Sequence, residues 1–243
     1  RKESSAASDV YKRQIHFFNP VAKMPLVEVV HAEGDTGDAL ARACAFVGQI
    51  DKLALPVKSA PGFLVNAVLA PYMLQAMRSV DDGVAPETVD AAMVAFGMPM
   101  GPLELADTVG LDIARAAGEE LAGGAEPPRC LAERLARGDL GKKSGKGFYT
   151  WRDGKPVKPG GAAPAAAPAG LAQRLIQPLI DATRQRVEAG VVADADLADA
   201  GVIFGTGFAP FTGGPLHYQR SNPKHSSETV SYTHLTLPTT PYV

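Results

Sequence analysis

The chain has 243 residues, 46% of them hydrophobic and 21% charged, with a formal net charge of −2. That balance excludes an electrostatic reader of nucleic acid or of an anionic membrane surface, and no apolar run approaches the roughly 20 residues of a membrane span. Cys44 and Cys130 stand far apart and outside any C-x-x-C pair, which fits a reducing cytoplasm; the five histidines show no metal-ligand spacing, so no metal is expected.

The two ends are set aside first. Asp9-Val10-Tyr11-Lys12-Arg13-Gln14 is one reading frame of a common transposon-sequencing adapter, and Val230-Ser231-Tyr232-Thr233-His234-Leu235 resembles its reverse complement read through. Residues 1–14 and 225–243 are therefore expected to be library artefact without fixed structure, and the chain to be a fragment cut at both ends. About 210 residues remain, enough for one or two domains.

From Ile15 to Ala60 the pattern predicts strand, strand, helix, strand: His16–Phe18, Leu26–His31, Asp38–Leu53 and Ala54–Ser59. Two polar groups interrupt the apolar strands, His16 beside Phe17-Phe18 and Glu28 within Leu26-Val27-Glu28-Val29-Val30. Simple alternation would turn Glu28 to solvent. Turned inward it needs a partner, because an unpaired buried carboxylate is very costly. His16 is the nearest one. An imidazole bonded to a carboxylate through one nitrogen can take a substrate proton on the other, so the two form a general-base pair in outline.

From Pro61 the chain turns helical. Phe63–Asp81 is apolar on nearly every face and predicts a buried helix, kinked at Pro71 and ended by Asp82-Gly83. A second helix is expected over Pro86–Phe96, then a tight turn, with Pro102 in the first turn of a third. Met93, Met98 and Met100 suit core filling better than an acyl pocket. After a short helix at Arg129–Arg137, the cluster Gly141-Lys142-Lys143-Ser144-Gly145-Lys146-Gly147-Phe148-Tyr149 has the wrong spacing for a P-loop and no preceding strand. No G-x-G-x-x-G follows a strand anywhere. Pro156–Gly170 reads as a Pro/Ala/Gly linker. Beyond it Pro71, Gly83-Val84 and Phe96-Gly97 recur as Pro178, Gly190-Val191 and Phe204-Gly205, at offsets of 107 to 108, and Gly101-Pro102-Leu103 as Gly214-Pro215-Leu216. A duplicated helical unit is expected.

Three motifs in register carry a resemblance: His16-Phe17-Phe18-Asn19-Pro20, Glu28 twelve residues after the histidine, and Pro61-Gly62-Phe63-x-x-Asn66 ending fifty after it. Together they resemble the L-3-hydroxyacyl-CoA dehydrogenase family of fatty-acid β-oxidation, and the Gly141–Tyr149 cluster resembles the motif closing that family's first helical domain. The duplication favours the multifunctional α-subunit type. The alternatives are a single-function 3-hydroxybutyryl-CoA dehydrogenase, which ends after one helical domain, and a non-catalytic helical association module.

The fold that the resemblance implies is mainly α. The end of a Rossmann-like α/β NAD-binding domain (15–60) is followed by two repeated all-helical C-terminal domains (61–155 and 171–224), with the linker at 156–170. The implied reaction is NAD-dependent oxidation of an L-3-hydroxyacyl-CoA to the 3-ketoacyl-CoA, in the cytoplasm. His16 is the implied base and Glu28 its orienting carboxylate; Asn66 contacts substrate, Asn19 the nicotinamide side, and Lys143 approaches NAD. A thiolase β-subunit and self-association are the implied partners beside the acyl-CoA. The family's serine, about twenty residues before the histidine, falls before the chain begins, so the fragment alone is expected to be inactive. Ala67 stands where the family usually has arginine.

Overall fold

The computed structural model describes residues 14–32, 38–121, 126–158 and 166–223; the adapter-like stretches lie outside these, apart from Gln14, which opens the first strand. Strands β1 (Gln14–Phe17), β2 (Leu26–His31) and β3 (Leu53–Lys58) form one sheet in that order, β1 antiparallel and β3 parallel to β2. The β2–β3 crossover carries helix α1 (Asp38–Gln49). That helix stops short of the expected Leu53 because Asp51 takes a left-handed backbone (φ 56°), and Leu53 is already paired in β3.

Period-two alternation gives β2 two buried faces. Leu26 and Val30, with Leu55 and Val57 of β3, face the helical core, whereas Val27 and Val29 pack with Val47 of α1 and with Ile15 and Phe17 of β1. Glu28 shares the first face, the one turned toward the helices.

Among the described residues eight α-helices follow the sheet, on either side of a short hairpin: α2 (Val65–Asp81), α3 (Pro86–Phe96), α4 (Pro102–Val109), α5 (Leu111–Leu121) and α6 (Arg129–Ala136) come first, and α7 (Leu171–Glu188) begins the last group. The hairpin is β4 (Thr150–Arg152) with β5 (Lys155–Val157), so this part is not all-helical and Pro156-Val157 belongs to a strand rather than a linker. Helix α2 is the axis of the core, buried along its length and carrying Pro71; α7 lies against it, and α8 (Ala195–Thr206) and α9 (Pro215–Ser221) complete the group. Met93 and Met98 are core residues, as expected from their pattern.

Distant carboxylates hold this arrangement together. A helix begins with N–H groups that have no partner within the helix, and an anion placed there satisfies both the donors and the dipole. Asp90 of α3 accepts from the Leu103 and Glu104 N–H groups at the start of α4 (2.9 and 3.0 Å) and from the Tyr149 hydroxyl (2.8 Å). Asp81 does the same for α6 through Arg129 and Cys130. Asp107 takes the Phe148 and Tyr149 N–H groups and the Trp151 indole, tying the Gly/Lys cluster to α4. Burial raises the Asp107 carboxyl above its usual range and pushes Asp90 up to about 6, against the pull of these donors.

The last three helices have matching landmarks. Pro178 sits inside α7 as Pro71 does inside α2. Gly97 and Gly207 are the left-handed caps ending α3 and α8. Gly205 lies inside α8, where an added Cβ would come within 2.5 Å of Val65 Cγ2.

Candidate functional site

Strand register places His16 directly opposite Glu28 on β1 and β2. Cross-strand neighbours point to the same face, so the two side chains meet. His16 Nδ1 and Glu28 Oε2 are 2.8 Å apart. Glu28 is fully buried and its other oxygen, Oε1, accepts the N–H groups of Leu64 and Val65, each at 3.0 Å, at the start of α2. The carboxylate therefore joins the sheet, the imidazole and the helix N-terminus. A carboxylate accepting at both oxygens leaves the proton of this contact on Nδ1, which makes Nε2 of the neutral ring an acceptor. Nε2 has no hydrogen-bond partner among the described residues, and the His16 side chain is 27% exposed. The open nitrogen can receive a proton from outside. This is the geometry of a general base with an orienting carboxylate.

Two rings wall the imidazole: Phe18 at 4.8 Å between centroids, near perpendicular, and Phe63 at 5.5 Å. Asn66 follows Val65, whose N–H is on Glu28, so it belongs to the same first turn of α2 and is exposed. Asn19 is exposed two residues beyond β1. Both amides lack a side-chain hydrogen bond among the described residues. The turn that follows Asn19 is pinned by Lys52, whose Nζ donates to the Val21 and Met24 carbonyls at 2.8 Å each.

Lys143 lies elsewhere, at the corner of α4 and α5. Its Nζ is 2.6 Å from both carboxylate oxygens of Asp112, and that hydrogen bond holds the Asp112 carboxyl below the usual range. No hydrogen bond or ion pair links Lys143 to His16 or Glu28. Among the described residues no group of three His, Cys, Asp or Glu is placed to hold a metal, and no helix is long and apolar enough to cross a membrane.

The family model for the NAD binding domain of 3-hydroxyacyl-CoA dehydrogenase matches residues 6–60, and that for its C-terminal domain matches 62–151. The chain belongs to the 3-hydroxyacyl-CoA dehydrogenase family. The first match reaches upstream of Gln14, into the stretch read above as adapter. The junction of the two matches falls where the chain leaves β3 for α2, beside the Glu28 hydrogen bonds.

A relative in Shewanella amazonensis, a fatty acid oxidation complex subunit alpha, is 36% identical over 221 residues, covering 84% of this chain and 31% of its own length. The chain thus spans about a third of that relative's length. Among solved structures, the 3-hydroxybutyryl-CoA dehydrogenase of Escherichia coli superposes with a TM-score of 0.68 at 24% identity, over 85% of this chain and 62% of its own, and shows the shared fold. The dehydrogenase part of multifunctional enzyme 1 from Caenorhabditis elegans matches with a TM-score of 0.61 at 26% identity, over 79% of this chain and 47% of its own.

Sequence reasoning missed Lys52 and the rings around His16. Lys52 has no local signal, since its partners lie 28 and 31 residues away. Phe18 and Phe63 sit inside the motifs already singled out, but only the fold brings them onto one imidazole.

Proposed function

We propose that this segment supplies the acid–base and substrate-facing part of an NAD-dependent L-3-hydroxyacyl-CoA dehydrogenase acting in fatty-acid β-oxidation. The observation that carries the reading is the His16–Glu28 pair, with Nε2 accessible and without a hydrogen-bond partner among the described residues. Oxidising a secondary alcohol removes a hydride from carbon and a proton from oxygen, and without a base the oxygen would carry the developing positive charge. His16 Nε2 accepts that proton. Glu28 stabilises the imidazolium that results and keeps the ring from turning.

The residues present fit the reacting end of a nicotinamide cofactor. Asn19 offers a carboxamide with no side-chain hydrogen bond among the described residues, beyond the strand that carries the base, and Asn66 offers another at the start of α2. We assign Asn19 to the nicotinamide side and Asn66 to the substrate near its reacting carbon. When bound, NAD⁺ supplies the hydride acceptor. The pyrophosphate grip is a different matter, because the sequence holds no G-x-G-x-x-G turn. Lys143 is assigned to the cofactor through its motif alone, and it must leave Asp112 to act there.

The α7–α9 group is read as a second copy of α2–α4, packed on the first as a partner subunit would be. The shared prolines, glycine caps and carboxylate-held helix starts support this. It favours the multifunctional α-subunit type, and with it association with a thiolase-type subunit and self-association.

The test is to place residues 14–223 behind the corresponding upstream part of the Shewanella amazonensis α-subunit. NADH formation is then followed with L-3-hydroxyacyl-CoA substrates of several chain lengths. Turnover above that of the upstream part alone supports the reading; none, in a folded protein that binds NAD, sinks it.

A further inference from the structure

Phe63 has a left-handed backbone, φ 45°, directly after Gly62 at φ 68°. A bulky residue rarely adopts that conformation, and glycine or asparagine would adopt it more readily. Strain of this kind persists where the surroundings fix it. Here the two left-handed residues reverse the chain between β3 and α2. Phe63 N–H donates to the Ala60 carbonyl, and the Gly62 carbonyl accepts from Ala67 N–H, both at 3.0 Å. A Cβ on Gly62 would meet the Ala67 nitrogen at 3.0 Å, so the reversal is tight. Its outcome is that the next two N–H groups, Leu64 and Val65, point at Glu28 Oε1. Meanwhile the Phe63 ring lies against the His16 imidazole, as the Phe18 ring does.

We propose that Phe63 is the positioning residue of the pair. Its ring confines the His16 imidazole while its left-handed backbone delivers the α2 N–H groups to Glu28. The inference rests on the reading of His16 as the base, and it gives the rare conformation a purpose. One residue constrains both partners, so neither the ring nor the carboxylate can move without disturbing the other. A glycine at position 63 would satisfy the backbone and leave the imidazole free on one side. The phenylalanine accepts strain and closes that side.

The test uses the full chain with Phe63→Ala, Phe63→Gly and Phe63→Tyr. The readout is the ¹⁵N and ¹H NMR of the His16 ring, together with the Leu64 and Val65 amide signals. The parent and Phe63→Tyr should show one fixed tautomer, protonated on Nδ1. Phe63→Ala and Phe63→Gly should both loosen the ring, giving exchange-broadened ring signals and a more rapidly exchanging Nδ1 proton. Phe63→Gly should keep the amide signals of the parent and melt at a higher temperature than Phe63→Ala, because it relieves the backbone. If Phe63→Ala does not fold, the Gly and Tyr variants carry the comparison. His16 ring signals as sharp in Phe63→Gly as in the parent, with an unchanged exchange rate of the Nδ1 proton, would overturn the proposal. The base reading fails in a different way, by normal turnover of a His16→Ala dehydrogenase, so the two outcomes remain distinct.

Discussion

Asp199 holds the start of α9 as Asp90 holds the start of α4. Asp199 accepts from the Leu216 and His217 N–H groups at 2.7 and 2.9 Å, one residue past Pro215, just as Asp90 accepts from those past Pro102. In both places the proline occupies the first helical position, where its missing N–H costs nothing, and the carboxylate takes the next two. In both places a Cβ on the preceding glycine, Gly101 or Gly214, would overlap the aspartate side chain. The match extends beyond sequence landmarks to a tertiary contact, and it predicts parallel energetics. Asp90→Asn and Asp199→Asn each turn an amide N–H₂ toward a backbone donor. Each should destabilise the chain, by about 1–3 kcal/mol for Asp199 and more for Asp90, which also holds Tyr149. Urea unfolding measures both. A neutral Asp199→Asn would dissolve the parallel.

The pH dependence of the Asp90 contribution has a definite sign. Burial pushes this carboxyl up to about 6 from 3.8, so the folded state binds its proton more tightly than the unfolded chain does. The contribution is fully present below the unfolded value and is lost as pH rises through the folded one. Over that window the loss is on the order of 2–3 kcal/mol. Unfolding free energies of the parent and of Asp90→Asn, measured between pH 4 and 7, isolate it. The parent's advantage should shrink as pH rises; an advantage that grows would contradict the assignment.

Glu28→Gln separates orientation from packing. The glutamine carbonyl can still accept from Leu64 and Val65, but its N–H₂ then faces His16 Nδ1. The imidazole answers by carrying its proton on Nε2, the nitrogen that must accept. In the dehydrogenase rebuilt with an upstream half, kcat should fall by about 10²–10⁴ with the fold retained. Steady-state kinetics with far-UV circular dichroism checks this, and turnover within about threefold of the parent would argue against it.

Much of this was legible in the sequence because the decisive signals are local or lie in register. His16 and Glu28 announce themselves as polar residues in apolar strands, and β pairing then leaves them opposite each other. Pro71, Pro102 and Gly97 mark helix interior, start and end by backbone chemistry alone. What escaped were relations between distant parts. Asp81, Asp90, Asp107 and Asp199 look like ordinary helix-surface acids until the fold brings helix starts or the Gly/Lys segment to them. The β4–β5 hairpin was hidden because Pro156 and Val157 border a Pro/Ala/Gly tract whose composition dominates the reading. Gly205 follows a phenylalanine as Gly97 does, yet it packs closely against Val65, and the left-handed cap of α8 falls at Gly207, a difference that only the packing shows.

The most direct measurement is the turnover of His16→Ala in the rebuilt dehydrogenase, beside its affinity for NADH. If His16 Nε2 takes the substrate proton, kcat should drop by about 10²–10⁴ while NADH binding is unchanged. Turnover close to that of the parent would remove His16 from its role, and with it the account of this site.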